Sequence, residues 1–162
     1  MRAVIRKRCQ EPFFFQRVTL THTQRYHAKT RTVGSGHVYQ GRYKSLLVQS
    51  GSHFLELVRY VESNAKRAGL VKKAEEWPWS SVHVRLYGKA EQKKMLSPWP
   101  TPEPPDYVLW LNRSQGREEV EKIRYAIQRS RPYGSDKWVS NAVGKFGLKI
   151  TMRNPGRPKK GS

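Results

Sequence analysis

The chain has 162 residues and carries 32 Lys and Arg against 12 Asp and Glu, a formal net charge of +20. This length suits one domain, or a small domain with an extension, and so large a self-repelling excess points to a polyanion partner, nucleic acid first. One cysteine, Cys9, excludes an internal disulfide scaffold; no apolar run reaches the ~18 residues of a membrane span; and residues 1–10 lack the apolar core of a secretory signal.

A reducing cytoplasm is the expected compartment, with association to the nucleoid when bound to DNA. Apolar residues make up only 36% of the chain while aromatics make up 11%, so a modest core built on rings is expected. The charge is loaded toward the ends. Residues 1–50 hold ten Lys and Arg against one acid, which is not the mixed surface that solubility alone requires.

Residues 1–12 read as a disordered basic start. Residues 13–28 read as a helix, uninterrupted by Gly or Pro. A glycine-flanked turn follows, and residues 37–48 alternate in side-chain character as a strand does, with Gly41 marking a bulge or a close backbone approach. Ser52 is an N-cap candidate for a helix over 53–68, whose apolar face is Phe54, Leu57, Val58, Val61 and Ala65. Gly69 suits the left-handed position past its end. Residues 75–81 form an aromatic turn expected to pack on the core, and a short helix over 81–86 follows.

Five prolines between Pro98 and Pro105 predict an extended linker over 89–106. Beyond it, residues 107–150 read as a helical DNA-binding unit, with helices over 118–129 and from Ser135 or Asp136 to Lys145, ended by Gly147. Residues 151–162 are a basic tail.

On the central helix, Tyr60 sits at the edge of the apolar stripe with Asn64 one turn later and Glu56 one turn earlier. A tyrosine among cations is a candidate nucleophile; it equally suits a boundary ring whose hydroxyl meets water.

Gly36-His37-Val38-Tyr39-Gln40-Gly41-Arg42-Tyr43-Lys44-Ser45 resembles the G-H-x-[Trp/Tyr]-Q-G-R-[Phe/Tyr]-K-S segment of the REP-associated tyrosine transposases. Residues 58–71 resemble their R-Y-[V/I]-x-x-N-P-x-[K/R]-A-G-L-V helix, with Ala65 in place of the proline. Trp77-Pro78-Trp79-Ser80-Ser81 and Arg131-Pro132-Tyr133-Gly134 are similar to their W-P-W-S-S and R-P-[Phe/Tyr]-G motifs, and Thr21-His22-Thr23-Gln24-Arg25-Tyr26-His27 also fits. The matches run in order over most of the chain.

The resemblance implies a single-tyrosine HUH transposase acting in DNA transposition on single strands and on hairpins of repetitive extragenic palindromes, as a monomer or a homodimer. It implies that Tyr60 attacks a backbone phosphate to form a 5′-phosphotyrosine link. It implies a Mg²⁺ or Mn²⁺ ion, with Asn64 as one ligand beside a His-hydrophobe-His pair. The fold it implies is α+β, mostly helical, with an incomplete ferredoxin-like sheet in residues 13–88. The cations within these motifs, Arg25, Arg42, Lys44, Arg67 and Arg131, are the DNA-binding candidates.

No His-x-His occurs; the histidines are His22, His27, His37, His53 and His83. The expectation is therefore an N-terminally truncated transposase with impaired cleavage, since one carboxamide does not hold Mg²⁺ alone. The alternative is a non-catalytic DNA-binding protein or regulator, and charge alone also permits an RNA-binding one. In the tail, Pro155-Gly156-Arg157-Pro158-Lys159-Lys160 resembles the Gly-Arg-Pro core of minor-groove AT-hooks, adding Arg157, Lys159 and Lys160 to the DNA-binding candidates.

Overall fold

In the computed structural model, which describes residues 11–39 and 44–153, the first element is a 20-residue helix, α1 (Glu11–Thr30). It ends where Arg31 takes a left-handed conformation (φ 54°) and the Thr32 amide donates to the His27 carbonyl at 3.1 Å. The His27 ring then bonds Thr32 Oγ1 at 2.9 Å and the Gly36 carbonyl at 3.1 Å, so the turn folds back on the helix end. None of the described α1 side chains is buried.

Residues up to Lys44 and residues from Ser45 onward are two separate units. The second is built from α2 (Ser52–Glu62), α3 (Asn64–Arg67), a 3-10 turn over Ala74–Glu76, α4 (Ser81–Tyr87), α5 (Ala90–Lys93), α6 (Tyr107–Asn112), α7 (Arg117–Arg129) and α8 (Asp136–Phe146), with a closing 3-10 turn over Lys149–Met152. Ser80 caps α4 by accepting from the His83 amide at 3.2 Å. Gly51 holds the N-cap position of α2, one residue before the expected Ser52. Among the described residues no helix is long and apolar enough to cross a membrane.

The expected α+β fold is corrected. Among the described residues helix takes 59% and strand 1%, and no sheet forms. Residues 37–39 and 44–47 pair with no strand, residues 40–43 lie outside the described residues, and the isolated bridge joins Val48 in parallel to Tyr133. A strand needs partners to offset its ordering cost, and among the described residues no second strand pairs with this one. Its apolar end instead turns inward. Tyr133 donates its amide to the Leu47 carbonyl at 2.8 Å, and the Gln49 amide donates to the Tyr133 carbonyl at 2.9 Å. Gly134 is required there, because a Cβ would lie 2.6 Å from the Trp138 ring and 2.7 Å from Gln49 Oε1.

The core joins both sides of the proline-rich stretch. Ala74 and Val82 before it pack with Tyr107 and Leu111 after it, and Trp99, from within it, lies against them. The segment read as a linker is thus a packed connection inside one unit. Its ring contacts are edge-on, with Trp99 5.0 Å from Tyr107 and 5.8 Å from Phe54.

At the centre of this unit is a buried carboxylate. Glu62, 3% exposed at the end of α2, accepts from the Tyr107 hydroxyl of α6 at 2.7 Å and from Ser81 Oγ of α4, and pairs with Arg85 of α4. Arg85 in turn lies over the Trp99 ring, its guanidinium carbon 4.4 Å from the centroid. A second, half-buried link ties Tyr133 to α2, its hydroxyl donating to Glu56 Oε2 at 2.7 Å.

Removing one partner of a buried ion pair strands the other. Glu62→Ala is therefore expected to cost about 3–5 kcal/mol, read as a lower urea midpoint. Burial, reinforced by the Glu62 carboxylate, pushes the Tyr107 hydroxyl above the ordinary tyrosine range; burial and the bond to Glu56 do the same for Tyr133. Folding then favours the protonated phenols, so their contribution is complete below about pH 10, where the unfolded chain begins to ionise them, and is lost above it. The stability difference between wild type and Tyr107→Phe/Tyr133→Phe is expected to be constant near neutrality and to shrink above about pH 10.

Candidate functional site

The central helix is interrupted by one residue. Ser63 (φ −83°, ψ 2°) separates α2 from α3, and the turn closes through Arg67 N–H donating to the Ser63 carbonyl at 2.9 Å. Gly69 (φ 73°) ends the segment, as its place in the sequence predicts. The break is small enough to keep Tyr60, Asn64 and Arg67 on one surface.

Arg67 organises that surface. Its guanidinium carbon stands 4.1 Å from the centroid of the Tyr60 ring. Both terminal nitrogens donate to the Tyr60 carbonyl at 3.2 Å; one also reaches Asn64 Oδ1 at 3.0 Å and the other Ser63 Oγ at 3.3 Å. Asn64 and Arg67 are exposed and Tyr60 is half-buried. The Tyr60 hydroxyl makes no hydrogen bond among the described residues. The result is an aromatic ring with a fixed cation on its face and a free hydroxyl, a combination that can meet a phosphate and a base together.

The opposite side of the segment anchors it. Arg59, 6% exposed, donates to the Arg113 carbonyl at 2.8 Å and lies over the Trp110 ring at 4.5 Å. Burial lowers its affinity for the proton from the ordinary arginine value, and Glu119 opposes that shift. Lys66 Nζ donates to the Asn112 carbonyl. Asn112 completes the lattice, accepting from the Ala74 amide at 2.9 Å and donating to Glu75 Oε2 at 2.7 Å. Arg59, Lys66 and Arg67 are close in sequence, but two hold the scaffold and one shapes the surface.

The residues present do not fit the divalent metal that the transposase resemblance implies. Asn64 Oδ1, the expected ligand atom, accepts from a guanidinium. Among the described residues no three His, Cys, Asp or Glu side chains gather as a metal set. A hard cation bound at this point needs several more oxygen ligands.

The other candidates are dispersed. Arg131 follows α7, its amide bonded to the Ala126 carbonyl at 2.9 Å and its guanidinium 5.8 Å from the Tyr125 ring. Arg25 and Lys44 are exposed in the first unit. Arg42, Arg157, Lys159 and Lys160 lie outside the described residues. The aromatic turn departs from expectation in one ring: Trp77 is half-buried, but Trp79 is 84% exposed.

Acids collect elsewhere. Glu56, Glu118, Glu119 and Asp136 line an open groove of about 820 Å³ together with the cations Arg117 and Lys122. Comparison with family models, curated proteins and solved structures finds no match for this chain.

Because its oxygen is committed to Arg67, Asn64 is expected to contribute nothing to Mn²⁺ affinity. Calorimetric titration of Asn64→Ala is expected to match wild type; a one-to-one Mn²⁺ site that disappears in the variant contradicts this.

Proposed function

We propose that the chain is a DNA-binding protein of the tyrosine-transposase kind, which takes single-stranded or hairpin DNA on the surface carrying Tyr60, Asn64 and Arg67. The observation that carries the reading is Arg67 stacked on Tyr60, on an exposed helix surface of a chain with net charge +20. Arg67 supplies a phosphate contact, and the tyrosine ring supplies a platform for an unpaired base. The rest of the cationic excess adds attraction without sequence preference, which weakens as salt rises.

The motif run supports Tyr60 as the nucleophile: its hydroxyl oxygen attacks a backbone phosphorus as the phenol proton is released, the P–O3′ bond breaks, the leaving strand takes up a proton as a 3′ hydroxyl, and the protein stays on the 5′ phosphate. The donor set favours a second reading beside it, binding without cleavage, because Asn64 is held by Arg67 and no three His, Cys, Asp or Glu side chains gather as a metal set among the described residues. A cytoplasmic location goes with either reading.

Tyr60→Phe separates the two. Both readings expect the variant to bind a palindromic DNA hairpin as wild type does. The nucleophile reading expects wild type to nick the hairpin with Mn²⁺ and leave a covalent protein–DNA species that Tyr60→Phe does not form. The binding-only reading expects no such species from either protein. Arg67→Ala is expected to weaken hairpin binding and flatten the dependence of log affinity on log salt by about 0.7–0.9. Equal affinity and slope in Arg67→Ala overturn the proposed surface.

A further inference from the structure

We propose that α1 is a stacking element for the single-stranded DNA that flanks a hairpin, a proposal that rests on the DNA-binding reading above. The starting observation is a helix whose large apolar side chains are left uncovered: Phe14 is 62% exposed and Tyr26 46%. No described side chain of this helix is buried in a core, so its ring-bearing surface is open to a partner.

The arrangement of those rings selects the partner. Phe14, Val18, His22 and Tyr26 follow one another at four-residue steps. At about 100° per residue, Arg25 falls in angle between Phe14 and Val18, and Lys29 between Val18 and His22. Rings and cations therefore share one arc of about 120°.

A membrane-surface helix keeps its apolar and cationic residues on opposite faces. Pairing with a second copy needs an uninterrupted apolar seam, and here it would set cation against cation. A single nucleic-acid strand needs what this arc has, π-faces for its bases interleaved with charges for its phosphates.

The rings are also ordered. Tyr39, from the segment after the helix, pairs its hydroxyl with His22 Nδ1 at 2.9 Å. His22 lies 5.6 Å from the Tyr39 ring and 6.2 Å from the Tyr26 ring, which makes a cluster of three. Tyr39 remains 47% exposed within it, so the cluster stays accessible from solvent. A ring held in advance loses less entropy when a base stacks on it.

The test uses the full chain and two labelled DNAs, a bare hairpin and the same hairpin with a single-stranded flank, read by fluorescence anisotropy. Phe14→Ala/Tyr26→Ala is expected to bind the flanked hairpin roughly tenfold more weakly, as loss of stacked rings implies, and the bare hairpin as wild type does. Alanine is the strongest helix former, so α1 persists in this variant; an unchanged far-UV circular dichroism spectrum checks that.

Arg25→Ala/Lys29→Ala, which keeps every ring, is expected to lower the salt slope on the flanked hairpin by about 0.7 per cation. Equal binding of the flanked hairpin by wild type and Phe14→Ala/Tyr26→Ala overturns the proposal, as does an equal loss on both DNAs. So does a variant that keeps flanked-hairpin binding but loses binding to phosphatidylserine vesicles. Failure of the parent reading looks different: the wild-type chain then binds neither DNA.

Discussion

A buried carboxylate with three partners governs the larger unit. Glu62 closes α2, and through Tyr107, Ser81 and Arg85 it fixes α6 and α4 to that point. A charge so deeply placed is tolerated only when its lone pairs are filled, so the three partners must arrive together. Their arrival sets the rest: Tyr107 brings Leu111 and the α6 ring cluster into the core, and Arg85 carries Trp99 with it. The two residues after Glu62 are Ser63 and Asn64, so the surface with Tyr60 and Arg67 is referenced to the most constrained atom nearby.

Charge is partitioned around that frame. Arg59 and Lys66 spend their cations on backbone carbonyls of the α6–α7 region, and Arg85 spends its own on Glu62. Several acids gather in the groove between Glu56 and Asp136. Arg67 is different. Its guanidinium is held by neutral acceptors while exposed to solvent, whereas Arg59 is buried and Lys66 half-buried on theirs, so its positive charge is both oriented and accessible. That is the physical basis for assigning the anion-binding role to it rather than to its neighbours.

The helical parts were legible because local signals decide them. The stripe from Phe54 to Ala65 and the left-handed Gly69 marked one helix over 53–68, which the structure divides at Ser63 into α2 and α3; the helix read over 118–129 is α7, and Gly147 ended α8 with φ 65°. The sheet was illegible for a matching reason. Alternation over residues 37–48 describes a strand's side chains but says nothing of its partners, and the Leu46–Val48 end found the Tyr133 backbone instead. The prolines between Pro98 and Pro105 have a linker's composition, yet Trp99 among them is a core ring whose effect depends on Tyr107 and Phe54. Spacing put Tyr60 and Asn64 on one side of the central helix, and the roles expected of them came from the motif resemblance. What spacing could not supply was that Asn64 faces Arg67, because an i,i+3 carboxamide–guanidinium bond competes directly with any metal for the same oxygen.

The central claim is that DNA meets the Tyr60–Arg67 surface. Amide hydrogen exchange of the full chain, with and without a palindromic hairpin carrying a single-stranded flank, tests it most directly. The account predicts slowed exchange across residues 60–70 on adding the DNA, with the acidic groove around residues 116–122 unchanged. Slowed exchange confined to other parts of the chain, with residues 60–70 unaffected by saturating DNA, contradicts it.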